Sequence, residues 1–146
     1  MKRFVLAAAA IALGTFAVTA QGADPIAARK DAMKTVGQQT GAGSRMARGQ
    51  AEFNLTQARA IFASYEQVAA TYANLFPDNS QTGGDTAALP AVWSNRADFN
   101  ARVAKWAADA RTEGAKVTDL ASFQAAFGEV TKNCGSCHEV YRARRN

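Results

Sequence analysis

The sequence predicts an all-α chain, an antiparallel four-helix bundle that follows a removable leader. Three observations point there. Apolar residues recur at steps of three and four through four segments, capping residues and prolines bracket those segments, and no stretch alternates with period two over a useful length. With 146 residues the chain suffices for one domain and not comfortably for two. It contains no internal repeat.

The leader comes first. Lys2 and Arg3 form a positive start, Phe4 to Val18 is an apolar run, and Val18-Thr19-Ala20 supplies small or short residues for a signal peptidase. The run is short against the roughly 20 apolar residues of a membrane span, and no stop-transfer pattern follows it. Residues 1–20 are therefore expected to be a cleaved signal peptide, and residues 21–146 the bundle domain. The mature chain is expected to carry no membrane span and to lie in the periplasm.

The first helix is expected to start at Asp24 as N-cap with Pro25 in the first helical position, and to turn Ile26, Met33 and Val36 inward. Gly37, Gly41 and Gly43 leave its end open between Ala42 and Arg48. The second starts at Asn54, with Gln57 three residues on as a capping box. Its row is Leu55, Ala58, Phe62, Tyr65, Ala69, Tyr72 and Phe76, widened by Ile61, Val68 and Leu75, and Pro77 stops it. Residues 77–92 form a long connection whose first half is too polar and too rich in turn formers for a helix. The third helix runs from about Asn95, with Phe99, Val103, Trp106 and Ala110 inward and Gly114 near its end. The fourth starts near Asp119 and carries Leu120, Phe123, Phe127, Val130, Cys134, Cys137 and Tyr141 as a bundle seam. Two short connections and one long one suit an up-and-down bundle.

The charge of +5 falls to +3 once Lys2 and Arg3 leave with the leader. So mild a surplus suits docking to an acidic protein partner and is too weak to argue for nucleic acid. Part of it gathers at Arg142, Arg144 and Arg145, where it also complements the C-terminal end of a helix dipole.

Export means an oxidising compartment, where two cysteines usually form one disulfide. Here they are Cys134 and Cys137, too close for a bridge to close a loop of any value. Cys134-Gly-Ser-Cys137-His138 is the C-x-x-C-H signature of covalent haem attachment. On a helix, Cys134 and His138 stack one turn apart with Cys137 beside them. Two thioethers can then hold the vinyl edge of one porphyrin while the imidazole turns to the iron from the same side. Zinc would need four ligands and no second C-x-x-C exists. A thioredoxin-like thiol pair belongs at the start of a helix after a strand, and this pair lies late in a C-terminal helix.

The chain resembles the class II cytochromes c, the family of cytochrome c′ and cytochrome c-556. The residues carrying the resemblance are Ala126-Phe127-Gly128 before the haem motif and Tyr141-Arg142 after it. Gly83-Gly84-Asp85, Pro90-Ala-Val-Trp93 and Arg29-Lys-Asp-Ala-Met33 add to it. It spans about Asp24 to Arg145. The resemblance implies one covalently bound haem c, Cys134 and Cys137 as thioether positions, and His138 as proximal ligand. It also implies a place for Arg29 beside a haem propionate and for Arg142 on the proximal side. Members can pair through their first two helices, so a homodimer is left open; Ile61 and Val68 fit either a dimer face or a wide core stripe.

In the family this chain resembles, the residue four after that arginine lies over the distal face of the haem. An apolar residue there goes with five-coordinate iron in the c′ branch, and methionine with closed iron in the c-556 branch. Here it is Met33, which brings the chain closer to the low-spin c-556 type. Bundle geometry agrees. The first helix runs antiparallel to the last, so Met33, two turns in, and His138, one turn from the end, lie near one end. Met46 lies roughly 20 Å further along, and His138 is the chain's one histidine. The expected function is single-electron transfer between protein redox partners, with His138 and Met33 as axial ligands and no enzymatic activity. The alternative is a c′-like protein binding NO or CO at an open iron. A peroxidase would want a distal histidine, and His138 is already used.

Thioethers survive unfolding, so denaturation in acidified acetone should leave the haem on the chain. Clean extraction would contradict the attachment. Replacing Cys134→Ser together with Cys137→Ser should give little holoprotein.

Overall fold

The computed structural model describes residues 24–144. The expected signal peptide and Arg145 lie outside them. Helix α1 spans Pro25–Ala47, α2 Leu55–Tyr72, α3 Ala91–Ser94, α4 Arg96–Ala115 and α5 Leu120–Tyr141. Helices α1, α2, α4 and α5 form the expected antiparallel four-helix bundle, and no strand occurs among the described residues.

Local chemistry sets the helix ends. The Asp24 side chain accepts from Ile26 N–H at 2.9 Å and Pro25 follows it, as expected. Helix α1 continues through its three interior glycines. It stops where Gly49 takes φ +68° and Gln50 N–H bonds back to Arg45 O at 2.8 Å. At Asn54 the side chain caps Gln57 N–H at 2.9 Å, without the return bond that would complete a capping box. The complete box stands at α5, between Asp119 and Ser122. Reading the box from Gln57 missed this because serine at N3 can return the bond as glutamate or glutamine would.

The antiparallel pairings are fixed by specific contacts. Arg111 pairs with Glu66, tying α4 to α2, and Arg59 of α2 donates to Val117 O at 2.9 Å in the α4–α5 connection. Asn133 donates to Asp109 at 2.8 Å and Arg102 to Ser136 O at 3.0 Å, tying α5 to α4. Gln124 donates to Ala47 O at 2.7 Å, tying α5 to α1. On the same α1–α5 seam Gly43 lies against the Phe127 ring, so closely that a Cβ would stand 2.5 Å from it.

The core is a run of aromatic and aliphatic side chains. Phe53, Phe62, Phe123 and Phe127 meet at one end, and Phe76, Trp93, Phe99 and Tyr141 at the other. Ile61 is fully buried in it and Val68 is packed against it, so both belong to the core stripe. Met46, set aside above as an axial ligand, is buried there too. Leu120, placed inward by the seam pattern, is 36% exposed, because the first turn of α5 projects past the end of α4.

The long connection is not a free loop. It holds a 3-10 turn at Asp78–Ser80 and the short helix α3, and the following long helix starts at Arg96 rather than Asn95. Leu89 N–H bonds to Tyr141 O at 2.9 Å and Ala143 N–H to Ala87 O at 2.8 Å. These bonds fasten the connection across the C-terminal end of α5.

Gly43→Ala should destabilise the holoprotein by about 1–3 kcal/mol through overpacking against Phe127. Gly128→Ala, whose Cβ meets nothing within 4 Å, should instead gain up to about 1 kcal/mol of helix propensity. Urea unfolding midpoints of the two variants should move in opposite directions, and a shared direction would contradict the seam described here.

Candidate haem site

At the end of the bundle where α5 finishes, the four long helices and the connection enclose a cavity of about 720 Å³. That lies within the range of pockets for cofactors and small ligands. Its lining brings together Arg29, Met33, Cys134, Cys137, His138 and Arg142, the six residues singled out by sequence.

The motif residues reach the cavity because α5 is regular through it. Cys134, Cys137 and His138 are all half-buried, and both thiols are free. Burial pushes both thiols above their ordinary pKa, and at Cys137 the nearby Arg102 guanidinium opposes this. Burial, and secondarily Arg142, holds the His138 imidazole below its ordinary value. It is therefore in the neutral, metal-ligating form at neutral pH. Helix α4 braces this turn. Asp98 accepts from Arg102 Nε at 2.6 Å and from the Tyr141 hydroxyl, which together keep its carboxylate below the usual range.

Met33 is level with His138. Fourteen residues back from Ala47 is Met33, and fourteen on from Gln124 is His138; Ala47 and Gln124 are the bonded pair of the α1–α5 seam. Ten residues from the Gly43–Phe127 contact lead likewise from Gly43 to Met33 and from Phe127 to Cys137. Antiparallel helices rise equally, so both contacts set Met33 across from the Cys134–His138 turn.

Arg29 is not a solvated helix charge. It is 4% exposed. Its Nη1 donates to Ser80 Oγ at 2.9 Å, and its Nη2 donates to Ser80 O at 2.8 Å and Thr86 Oγ1 at 2.5 Å. The guanidinium carbon lies 4.7 Å from the Phe76 ring centre and 5.6 Å from that of Trp93. No ion pair joins it to a described carboxylate. Desolvation lowers its pKa, opposed by Tyr72 and Asp24. A buried cation facing a cavity with no counter-charge suits an anionic group on the molecule held there. Arg142 is exposed at the rim, and its backbone bridges Ala88.

Three lining residues were not identified by the sequence reading as site residues. Tyr72 and Trp106 were placed in apolar helix rows, where a phenol and an indole look like bulk. Tyr72 borders both Arg29 and Cys137, and burial above all raises its pKa. Trp106 is 8% exposed, and among the described residues its Nε1 is the one buried side-chain polar atom without a hydrogen-bond partner. Arg102 carried one local signal, Asp98 four residues before it on α4, but its bond to Ser136 O on α5 was not readable from sequence.

These observations fit a haem. The cavity has the size, two thiols and a neutral imidazole lie on one helix face, a thioether faces them, and a buried cation and an orphaned donor await acceptors. Residues 24–142 match the family model described as Cytochrome C′. The chain is 37% identical to a cytochrome c′ of Rhodopseudomonas palustris, over 99% of this chain and 98% of that one. It is 33% identical to a cytochrome c-556 of Agrobacterium tumefaciens, over 80% and 95%. The solved structure of cytochrome c′ from Rhodopseudomonas palustris superposes with a TM-score of 0.83 at 38% identity, covering 86% of this chain and all of that one.

Removing the Arg29 guanidinium leaves Ser80 O and the Thr86 hydroxyl without their donor. Arg29→Met should therefore cost about 2–4 kcal/mol in denaturant unfolding. Arg29→Lys should recover little, since one ammonium cannot span both groups as the planar fork does. Full recovery by lysine would show that charge alone matters at this position.

Proposed function

The chain belongs to the cytochrome c′ family, and from that premise we propose that it is a periplasmic carrier of single electrons with one haem c, ligated by His138 and Met33. No helix among the described residues is long and apolar enough to cross a membrane, which suits an exported carrier released from its leader. The observation that carries the axial pairing is the α1–α5 register, which sets Met33 level with His138.

In this reading Cys134 and Cys137 hold the group by thioether bonds and His138 donates a neutral imidazole nitrogen. Met33 would supply a thioether sulfur as the second ligand. Bound there, the haem supplies the one-electron couple. The chain's part would be to fix both ligands, exclude water from the iron and leave the group accessible to partners. Arg29, held in place by Ser80 and Thr86 and by the faces of Phe76 and Trp93, offsets the charge of a propionate. Arg142, exposed like Lys30 and Lys34 on the cavity lining, would add positive charge where an acidic redox partner approaches. No base or nucleophile is needed, since no bond in a substrate changes.

A second reading has a specific basis. Met33 is only half-buried, and a thioether that does not ligate would leave a five-coordinate iron open to NO or CO. Met33→Leu separates the two. The swap conserves volume and should change stability by less than about 1.5 kcal/mol. If Met33 ligates, the variant should turn from low-spin to high-spin, bind CO rapidly when reduced and show a lower reduction potential. An unchanged spectrum and potential would remove Met33 from the iron and favour the gas-binding reading.

A further inference from the structure

One ion pair of α4 is fastened to the C-x-x-C-H motif itself. Arg102 Nε donates to Asp98 Oδ2 at 2.6 Å, and Arg102 Nη1 donates to Ser136 O at 3.0 Å. Ser136 lies inside α5, where one lone pair of its carbonyl belongs to the helical ladder, so the guanidinium takes the other. The peptide bond that carries this oxygen leads directly into Cys137. The Tyr141 hydroxyl donates to the same carboxylate oxygen, Asp98 Oδ2. An exposed pair four residues apart on a helix ordinarily contributes little. Arg102 and Asp98 are 35% and 40% exposed, yet α5 holds both ends, one through the motif and the other through its last residue.

The two ends of the pair stand unequally to the cavity. Arg102 lines it, and Asp98, one turn earlier on α4, is not among its lining residues. The other lysines and arginines of the lining are Arg29, Lys30, Lys34 and Arg142, and among the described residues none of these has an ion-pair partner. Arg102 is therefore the lining cation that carries its own counter-charge, and that counter-charge lies outside the lining. The pair is a fixed dipole with its positive end at the cavity. When the bound group gives one electron to a partner, it is left one unit more positive. A fixed cation beside it opposes that loss and an anion favours it, and the nearer charge acts more strongly.

We propose that Arg102 sets the reduction potential of the haem: held between Ser136 O and Asp98, its charge favours the reduced state, and Asp98 moderates that charge from outside the cavity. Asp98 is a positioning residue, since it fixes the guanidinium and is itself fixed by the Tyr141 hydroxyl. This rests on the haem reading above and is independent of whether Met33 ligates the iron.

The test is a redox titration of holoprotein at neutral pH and low ionic strength. Both donors to Asp98 use Oδ2, so Asp98→Asn can keep both hydrogen bonds on its one carbonyl oxygen while the charge is removed. It should raise the reduction potential above that of the wild type. Arg102→Gln should lower it. The double variant should fall between the two single variants, slightly below the wild type. These separations should shrink at high salt, because both groups reach solvent. Loosened packing would move both single variants the same way, so a shared direction overturns the proposal, as does a potential that neither substitution moves at low salt. A chain that carries no covalent haem would overturn the haem reading and the proposal with it, whereas bound haem with a shared or absent shift overturns the proposal alone.

Discussion

The seam between α1 and α5 is the contact on which the site depends. Gly43 lets the Phe127 ring lie against the α1 backbone, and the Gln124 side chain reaches Ala47 O. Neither contact touches the cavity, yet together they fix how far along α1 each residue of α5 falls. A slip of one residue would move Met33 by 1.5 Å along the axis and about 100° around it. The proposed axial pair would tolerate no such error, so in that reading the packing of a glycine and an aromatic ring two turns or more away would govern the ligation of the iron.

The connection between α2 and α4 acts as a second brace. A loop of that length and polarity would ordinarily be expected to move. Here it is tied to α5 by backbone bonds at Leu89 and Ala143, and to α1 through Arg29. The guanidinium ties the connection to α1 and, in the proposed reading, would also meet an anionic group of the haem. Ser80, Thr86, Phe76 and Trp93 hold it rigid, and rigidity leaves its charge facing the cavity at small entropic cost when an anion arrives. The aromatic stack of Phe76, Phe99 and Tyr141 continues this wall to the Asp98–Arg102 pair behind the haem-binding turn.

Much of this was legible in the sequence, and the parts that were not have physical causes. Asp24-Pro25, Pro77 and the apolar steps of three and four marked the long helices, because caps and periodicity are local. The C-x-x-C-H motif is local as well. Met33 was singled out by the family resemblance, four residues after Arg29, and bundle geometry agreed because an antiparallel bundle relates the start of one helix to the end of another. The burial of Arg29 was hidden, since its acceptors are backbone and hydroxyl oxygens some fifty residues away with no charge to betray them. Trp106 and Tyr72 passed for core because helical spacing records which face a residue occupies and not whether its polar atom finds a partner. Leu120 was misplaced because periodicity continues past the point where a neighbouring helix ends.

The proposed axial pair is tested most directly by the visible spectrum of the purified wild-type holoprotein in both oxidation states. The account predicts low-spin iron throughout, with sharp α and β bands on reduction and little or slow change on adding CO, because a thioether must first depart. A high-spin spectrum in either state, with immediate binding of CO to the reduced protein, would contradict it and leave Met33 as a wall of an open site.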